Sequence, residues 1–388
     1  MRPLPAPAWR AWRRGDADAA GRLAAEAGLG ELEVLALCVQ GEYERALGRY
    51  GTLERPGRRL DEVVAHALLH LDRAGEAYEH VVRRCGARRV PADLRGRVER
   101  PMAVTLERTT AVPFADHPLA AYLPAVPARL DGHELVAHID TGGTFLVMGT
   151  ERARALGIRL TPAGKDYHGT TRTEVYTGTA ARLTVGDATL TDVPVEAMPT
   201  LRGGQDLVII GTNVLQRFLS TVDHPGGRLL LSPRRSPGHA AAHLALLGGR
   251  EPVARVPFLL WADHYMIARG GFGARRDLNF FIDSGLVYVI DAEDGTPPRQ
   301  ACLYTTAAHY RSWGVPRATT ARPHFLPGVP VHLGPLTMDD PFVATTPGRR
   351  PPWSSFGGIR VHGLLSHAFL SRYTWTLDFD RHEYAFRA

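Results

Sequence analysis

Apolar residues recur with helical spacing from about residue 8 to residue 89, and alanine, leucine, glutamate and arginine dominate the stretch. Short breaks fall near Gly28-Leu29-Gly30 and Arg55-Pro56-Gly57. Residues 15–20, 41–46 and 72–77 are alike: a small or turn residue, then a helix carrying an alanine where two helices would approach closely. Residues 88–101 form a passage rich in proline and arginine, and beyond it the period changes. Alternating apolar runs separated by Gly/Asp turns predict β structure.

The predicted strands of the first β region are 126–130, 134–139, 145–148, 180–185, 190–197 and 207–211, with a closing strand at 228–231. Asp131-Gly132 predicts a tight hairpin turn. Short helices are expected at 150–156 and 213–219, and the polar, aromatic-bearing stretch 165–176 predicts a hairpin lying over a site. Residues 232–251 read as a linker with an alanine-rich helix at its centre, and a second β region runs from Pro252 to the end. The resulting division is 1–100 helical, 101–235 first lobe, 236–252 linker and 253–388 second lobe.

The two β regions match in order. An apolar strand ends in a carboxylate turn at Ile139-Asp140-Thr141-Gly142 and again at Ile282-Asp283-Ser284-Gly285, 143 positions on (283 − 140). Residues 185–192 return as 333–340, which carries Thr189 and Asp192 onto Thr337 and Asp340. Ile209-Ile210-Gly211 returns as Val361-His362-Gly363, and each glycine is expected to open a short helix ending in Phe-Leu-Ser at 218–220 and 369–371. Offsets that drift by only a few residues imply a duplicated unit with small insertions. Two units related by a pseudo-dyad would bring one aspartate from each to the axis.

Composition narrows the classes. With 388 residues, 44% apolar and 22% charged, the chain has material for two or three domains with substantial cores. The formal charge of +6 comes from arginine, Lys165 being the only lysine, and its arginine doublets are scattered among acids. That argues against a nucleic-acid face. Cys38, Cys85 and Cys302 are far apart and give neither a disulfide framework nor a zinc signature. The seventeen histidines contain no His-Glu-x-x-His, and His138 and His362 read as buried structural residues. No phosphate loop, dinucleotide fingerprint or Gly-x-Ser-x-Gly occurs, so neither a cofactor nor a metal is expected. Lacking an apolar leader or a membrane-length run, the chain is expected to be cytoplasmic and to have no membrane partner.

With one Asp-Thr/Ser-Gly turn and one apolar-apolar-Gly segment per half, residues 115–388 resemble the retropepsin-like and pepsin-like aspartic proteases. The resemblance implies an α+β chain: an all-α helical-hairpin region, then an all-β bilobal acid-protease fold with pseudo-twofold symmetry. Departures are Gly143 and Leu286 after the motifs, where serine or alanine is common, and His362 where an apolar residue is usual. The helical region resembles a short tetratricopeptide-like stack. Ala46 and Ala77 stand 31 apart and Ala20 and Ala46 only 26, and a plain helical bundle fits as well.

The chemistry needs both acids. Two carboxylates close together cannot both ionise, so they share a proton; one then activates water while the other protonates the carbonyl oxygen, a scheme for which aspartic proteases are the standard example. The resemblance gives those roles to Asp140 and Asp283, with Thr141 and Ser284 interlocked beneath, Gly142 and Gly285 holding the carboxylates, and Gly211 and Gly363 behind the turns. Tyr167, His168 and Gly169, with Trp313, are candidates for closing over an extended peptide. The expected activity is that of an endopeptidase working as a monomer on peptide or protein substrates, its helices open to a protein partner. The rival is a peptide-binding module without turnover that uses the helices as a docking platform. A third reading makes the helical array the main function.

Overall fold

The computed structural model describes residues 6–168, 171–199, 201, 206–234, 237–290, 299–315, 324–326, 328–346 and 350–388. Seven helices come first: α1 Ala6–Arg13, α2 Ala17–Glu26, α3 Gly30–Val39, α4 Tyr43–Gly51, α5 Arg58–His70, α6 Ala74–Cys85 and α7 Ala92–Glu99. Asp16 caps α2 by accepting from the Ala19 N–H at 3.1 Å. Ala20, Ala46 and Ala77 are fully buried, as close helix approach demands. Helix α7 lies within the passage that the sequence reading leaves irregular. Pro91 stands immediately before its first residue, where fixed φ and a missing N–H cost a helix nothing.

The helices do not close a core of their own. Trp12, Leu32, Val64 and Leu68 share one apolar cluster with Ile267, Phe281, Trp353 and Leu364 of the second β region. Trp12 Nε1 also donates to the Gly357 carbonyl at 3.0 Å.

In the first β region the strands are β1 Ala103–Thr105, β2 Thr110–Pro113, β3 Ala125–Leu130, β4 His133–Asp140, β5 Leu146–Gly149, β6 Thr161–His168, β7 Thr171–Val185, β8 Ala188–Met198, β9 Val208–Gly211, β10 Phe218–Asp223 and β11 Arg228–Pro233. Asp131 and Gly132, both with positive φ, make the β3–β4 turn. Strand β9 runs parallel to β4 with Asp140 opposite Gly211, and antiparallel to β5. The short helix that follows is Thr212–Leu215, and Phe218 and Leu219 belong to β10 instead of extending it. An alanine-rich helix, Pro237–Leu246, occupies the linker.

The second β region repeats this plan. Strands β12 Ala254–Trp261, β13 Tyr265–Phe272 and β14 Arg275–Ile282 lead to Asp283. Gly363–Leu365 lies parallel to β14 and antiparallel to Leu303–Thr306. Asp192 and Asp340, matched in sequence, both adopt left-handed φ, 54° and 53°. One expected match is corrected. Ile139 pairs with Ile210 and Asp140 with Gly211, whereas Ile282 pairs with Leu365 and the Asp283 N–H donates to the Leu365 carbonyl. The residue equivalent to Gly211 is therefore Ser366, an offset of 155 (366 − 211), and Gly363 lies three residues earlier.

The same offset locates the pseudo-dyad. Strand β10 pairs antiparallel with Thr374–Asp378, Thr221 opposite Thr376. These two are also each other's equivalents (376 − 221 = 155), so the axis passes between them, and their hydroxyls bond at 2.6 Å. The shared sheet formed there ties the regions together beneath the two aspartate turns. Among the described residues no helix is long and apolar enough to cross a membrane.

Candidate functional site

Strands β4 and β14 deliver Asp140 and Asp283 to the axis, and the turns after them interlock. The Thr141 N–H donates to Ser284 Oγ, and the Ser284 N–H donates to Thr141 Oγ1, both at 2.9 Å. Each hydroxyl donates onward to the opposite strand, Thr141 Oγ1 to the Ile282 carbonyl at 2.9 Å and Ser284 Oγ to the Ile139 carbonyl at 3.3 Å. Both residues are fully buried. A reciprocal network with every member satisfied is rigid, because no bond can break without orphaning a buried group.

Above this grip the carboxyls of Asp140 and Asp283 lie near enough for each to shift the other's titration. The Gly142 N–H donates to Asp140 Oδ1 at 2.7 Å. Burial raises the pKa of Asp140, opposed by hydrogen bonds from backbone N–H groups at Gly142 and Gly285. Burial raises Asp283 well above the ordinary range, and the neighbouring charge of Asp140 pushes it further the same way. The pair therefore shares one proton and titrates as a unit.

The glycines serve the opposite lobe. A Cβ on Gly142 would lie 2.7 Å from Asp283 Cγ, and one on Gly285 would fall inside the Asp140 carboxyl. Each turn thus leaves the space that the other aspartate fills. Gly211 is as tightly placed, since its Cβ would meet the Gly143 carbonyl at 2.5 Å. The residue after it, Thr212, was not singled out from the sequence, although its Oγ1 donates to the Thr141 carbonyl at 2.9 Å. Only its position next to Gly211 could have flagged it. At the corrected register position, Ser366 Oγ donates to the Ala301 carbonyl at 2.6 Å. Gly363 lines the strand beside β14, where a Cβ would meet Leu303 Cδ1 at 2.8 Å.

Other predicted positions lie elsewhere. Tyr167 is 52% exposed near the tip of the β6–β7 hairpin, opposite Arg172. The backbone of His168 ends β6, and Gly169 lies outside the described residues. Trp313 follows the helix Ala307–Ser312 and packs on Phe272 (ring centroids 5.0 Å apart) and on His309. A loop over residues 310–320 is the expected setting of Trp313, and its stretch 316–320 is likewise outside the described residues. His138 Nδ1 donates to the Leu123 carbonyl (3.2 Å), and burial lowers its pKa. His362 Nδ1 accepts from the Asn279 N–H at 3.0 Å, and burial, with His309 and Arg360 nearby, lowers its pKa to about 3. His138 is buried and His362 half-buried, and both are neutral near pH 7.

The helical region reaches this neighbourhood through a polar junction absent from the sequence reading. Asp263, just before β13, meets His66 of α5 at 2.6 Å, and its carbonyl accepts from Asn213 Nδ2 at 3.4 Å. Arg97 of α7 stands over the Phe145 ring at 5.0 Å.

Residues 126–214 match the family model described as aspartyl protease, a span that contains Asp140, Thr141, Gly142 and Gly211. No curated protein matches the chain. Among solved structures it is similar to a retropepsin-like aspartic protease from Rickettsia conorii, at 15% identity over 34% of this chain and 93% of that one, with a TM-score of 0.26. It is also similar to the aspartic proteinase of Irpex lacteus, at 11% identity over 72% of this chain and 97% of that one, with a TM-score of 0.41.

Proposed function

We propose that this chain is an aspartic endopeptidase that supplies both catalytic aspartates itself. The observation that carries the reading is the placing of the Asp140 and Asp283 carboxyls, each seated against the glycine of the opposite turn, above the Thr141–Ser284 interlock. On this reading the ionised member of the Asp140–Asp283 pair takes a proton from a water held between the two acids, and the protonated member donates to the scissile carbonyl oxygen as the water attacks its carbon. The tetrahedral gem-diol collapses as the acid that took the water's proton gives it to the leaving amine and a gem-diol hydroxyl returns a proton to the other acid, so the dyad again holds one. Thr141 and Ser284 keep the carboxyls in register, and Gly142 and Gly285 clear the space they occupy. Gly211 lets its strand close behind the first turn.

An extended peptide would lie across the axis as an added strand, with the β6–β7 hairpin, bearing Tyr167, His168 and Gly169, closing from one side and Trp313 from the other. The division into 1–100, 101–235, 236–252 and 253–388 belongs to the same proposal, as do action as a monomer in the cytoplasm and a protein partner docked on a tetratricopeptide-like helical array. The test is incubation with a mixed peptide library between pH 4 and 8. Cleavage should occur, should be suppressed by a statine-type transition-state mimic, and should vanish in folded Asp140→Asn and Asp283→Asn variants. Full cleavage by either variant overturns the assignment.

A further inference from the structure

The first lobe holds the chain beyond its aspartate with backbone groups alone. The Gly143 carbonyl accepts from the Thr212 N–H at 3.0 Å, and the Phe145 carbonyl accepts from the Gly211 N–H at 2.8 Å. Half of this arrangement returns in the second lobe. Ser366, the equivalent of Gly211, donates its N–H to the Cys302 carbonyl at 2.9 Å. The other half does not return: among the described residues no backbone N–H is bonded to the carbonyl of Leu286, which follows Asp283 as Gly143 follows Asp140.

An insertion accompanies the change. Leu146 pairs with Ile210 and Leu303 with Leu365, so Leu146 and Leu303 correspond. Leu146 stands six positions beyond Asp140 and Leu303 twenty beyond Asp283, so the second lobe has gained 14 positions (20 − 6) directly after its turn. The inserted chain pairs with itself, Val289–Ile290 against Arg299–Gln300. From its returning strand, Gln300 Nε2 donates to the Leu286 carbonyl at 2.8 Å. The same nitrogen donates to the Tyr122 carbonyl of the first lobe at 3.1 Å. A glutamine amide nitrogen carries two hydrogens, so both bonds form at once.

Both anchor points adjoin an aspartate. The Leu286 N–H donates to the Asp283 carbonyl at 3.2 Å. Tyr122 stands two residues before Pro124, whose carbonyl accepts from the N–H of Ile139, the residue before Asp140, at 2.8 Å. One side chain therefore joins the two aspartate turns a second time, independently of the Thr141–Ser284 interlock. A neutral donor suits the place, since a cation would favour the ionised form of both acids and work against a shared proton.

We propose that Gln300 is a positioning residue for the dyad: it supplies in the second lobe the donor that the Thr212 N–H supplies in the first, and it fixes the spacing of the two turns. The proposal rests on the endopeptidase reading and adds a residue to its machinery.

The experiment compares full-length Gln300→Met, which keeps the length of the side chain and has no donor, with the unaltered chain. On a library peptide that the unaltered chain cleaves, kcat should fall about 10- to 100-fold with KM within about threefold. The bell of kcat/KM against pH should also narrow, its acid limb moving up and its alkaline limb down. Carboxyls that drift apart interact less, so their two macroscopic pKa values converge. An unchanged kcat overturns the proposal, and so does a fall in kcat with a bell of unchanged width, which would make Gln300 structural only. Gln300→Glu, of the same shape and without donors once ionised, is the variant to use if Gln300→Met does not fold. Amide exchange supplies a readout that needs no turnover: exchange over residues 283–288 should quicken about tenfold or more, and over 146–149 stay within about twofold. If the unaltered chain cleaves nothing, the endopeptidase reading fails, and exchange alone decides whether Gln300 holds the turn. Equal exchange in the two chains then overturns that as well.

Discussion

The same strand position has been used in opposite ways by the two lobes. His138 and Phe281 each stand two residues before their aspartate. His138 is covered by its own lobe, at the Leu123 carbonyl and against the edge of His117. Phe281 instead packs with Ile267, Phe356 and Leu364 into the core of the helical region. The difference recurs after the turns. Gly143 admits no side chain without crowding Ile209, whereas Leu286 packs against the helix-bearing cluster. Duplication fixed the aspartate turns and left the outer faces free to diverge, so the second lobe carries the shared apolar cluster with the helices and the first carries the long β6–β7 hairpin.

Removing the feature common to both lobes gives the largest effect. Asp140→Asn and Asp283→Asn should each cost at least about 10²–10⁴-fold in peptide cleavage, because each removes a proton-transfer group. Steady-state assays on folded variants check this, and a large inequality between them would break the symmetry.

Next comes the asymmetric face. Phe281→Ala should cost about 3–5 kcal/mol, measured by chemical denaturation, since the cavity opens between the lobe and the helices. His138→Ala should cost about 1–2 kcal/mol, the loss of one buried hydrogen bond and some packing. Equal costs would remove the distinction drawn between the faces.

Acid should separate the lobes by a similar margin. Burial lowers His362 and His367 of the second lobe to about 3 and His264 and His382 to about 4, whereas in the first lobe it lowers His224 to about 4 and also lowers His138. Their folded pKa lies below the unfolded value, so the folded state binds fewer protons and stability is lost as pH falls from about 6.5 toward 3. For Asp283, whose pKa is raised, the folded state keeps a proton that the unfolded chain releases, so its contribution declines as pH rises through the interval above 3.8. All six tryptophans lie outside residues 101–235. Tryptophan fluorescence should therefore report loss of the second lobe and helices before hydrogen exchange reports opening of β3–β5. The smallest expected effect is at the axis: Thr221→Val and Thr376→Val should each cost about 1 kcal/mol by thermal melts, and the double variant less than twice that, since one bond is shared.

What was legible in the chain follows from how local the determinants are. Asp140-Thr141-Gly142 and Asp283-Ser284-Gly285 declare themselves because turn, strand and carboxylate are adjacent in sequence. The misplaced Gly363 shows where this stops. Gly211 ends the apolar pair Ile209-Ile210 and Gly363 the looser match Val361-His362, but strand register is set by pairing with β14, and that pairing selects Ser366. Helix α7 was hidden because Pro91 reads equally as a breaker and as a helix start. The docking of the helices depends on contacts across hundreds of residues. Its one trace is the unbroken apolar run Phe280-Phe281-Ile282, which signals a strand covered on both sides, where β4 at the same place offers His138.

The hydroxyl pair at Thr221 and Thr376 marks a seam at which neither half is finished. A first half expressed alone would present β10 with its ladder of amides and carbonyls open to solvent, and such an edge recruits whatever strand it meets. Because the seam is self-complementary, the readiest recruit would be another copy of the same fragment, and a severed half would revert to pairing with itself.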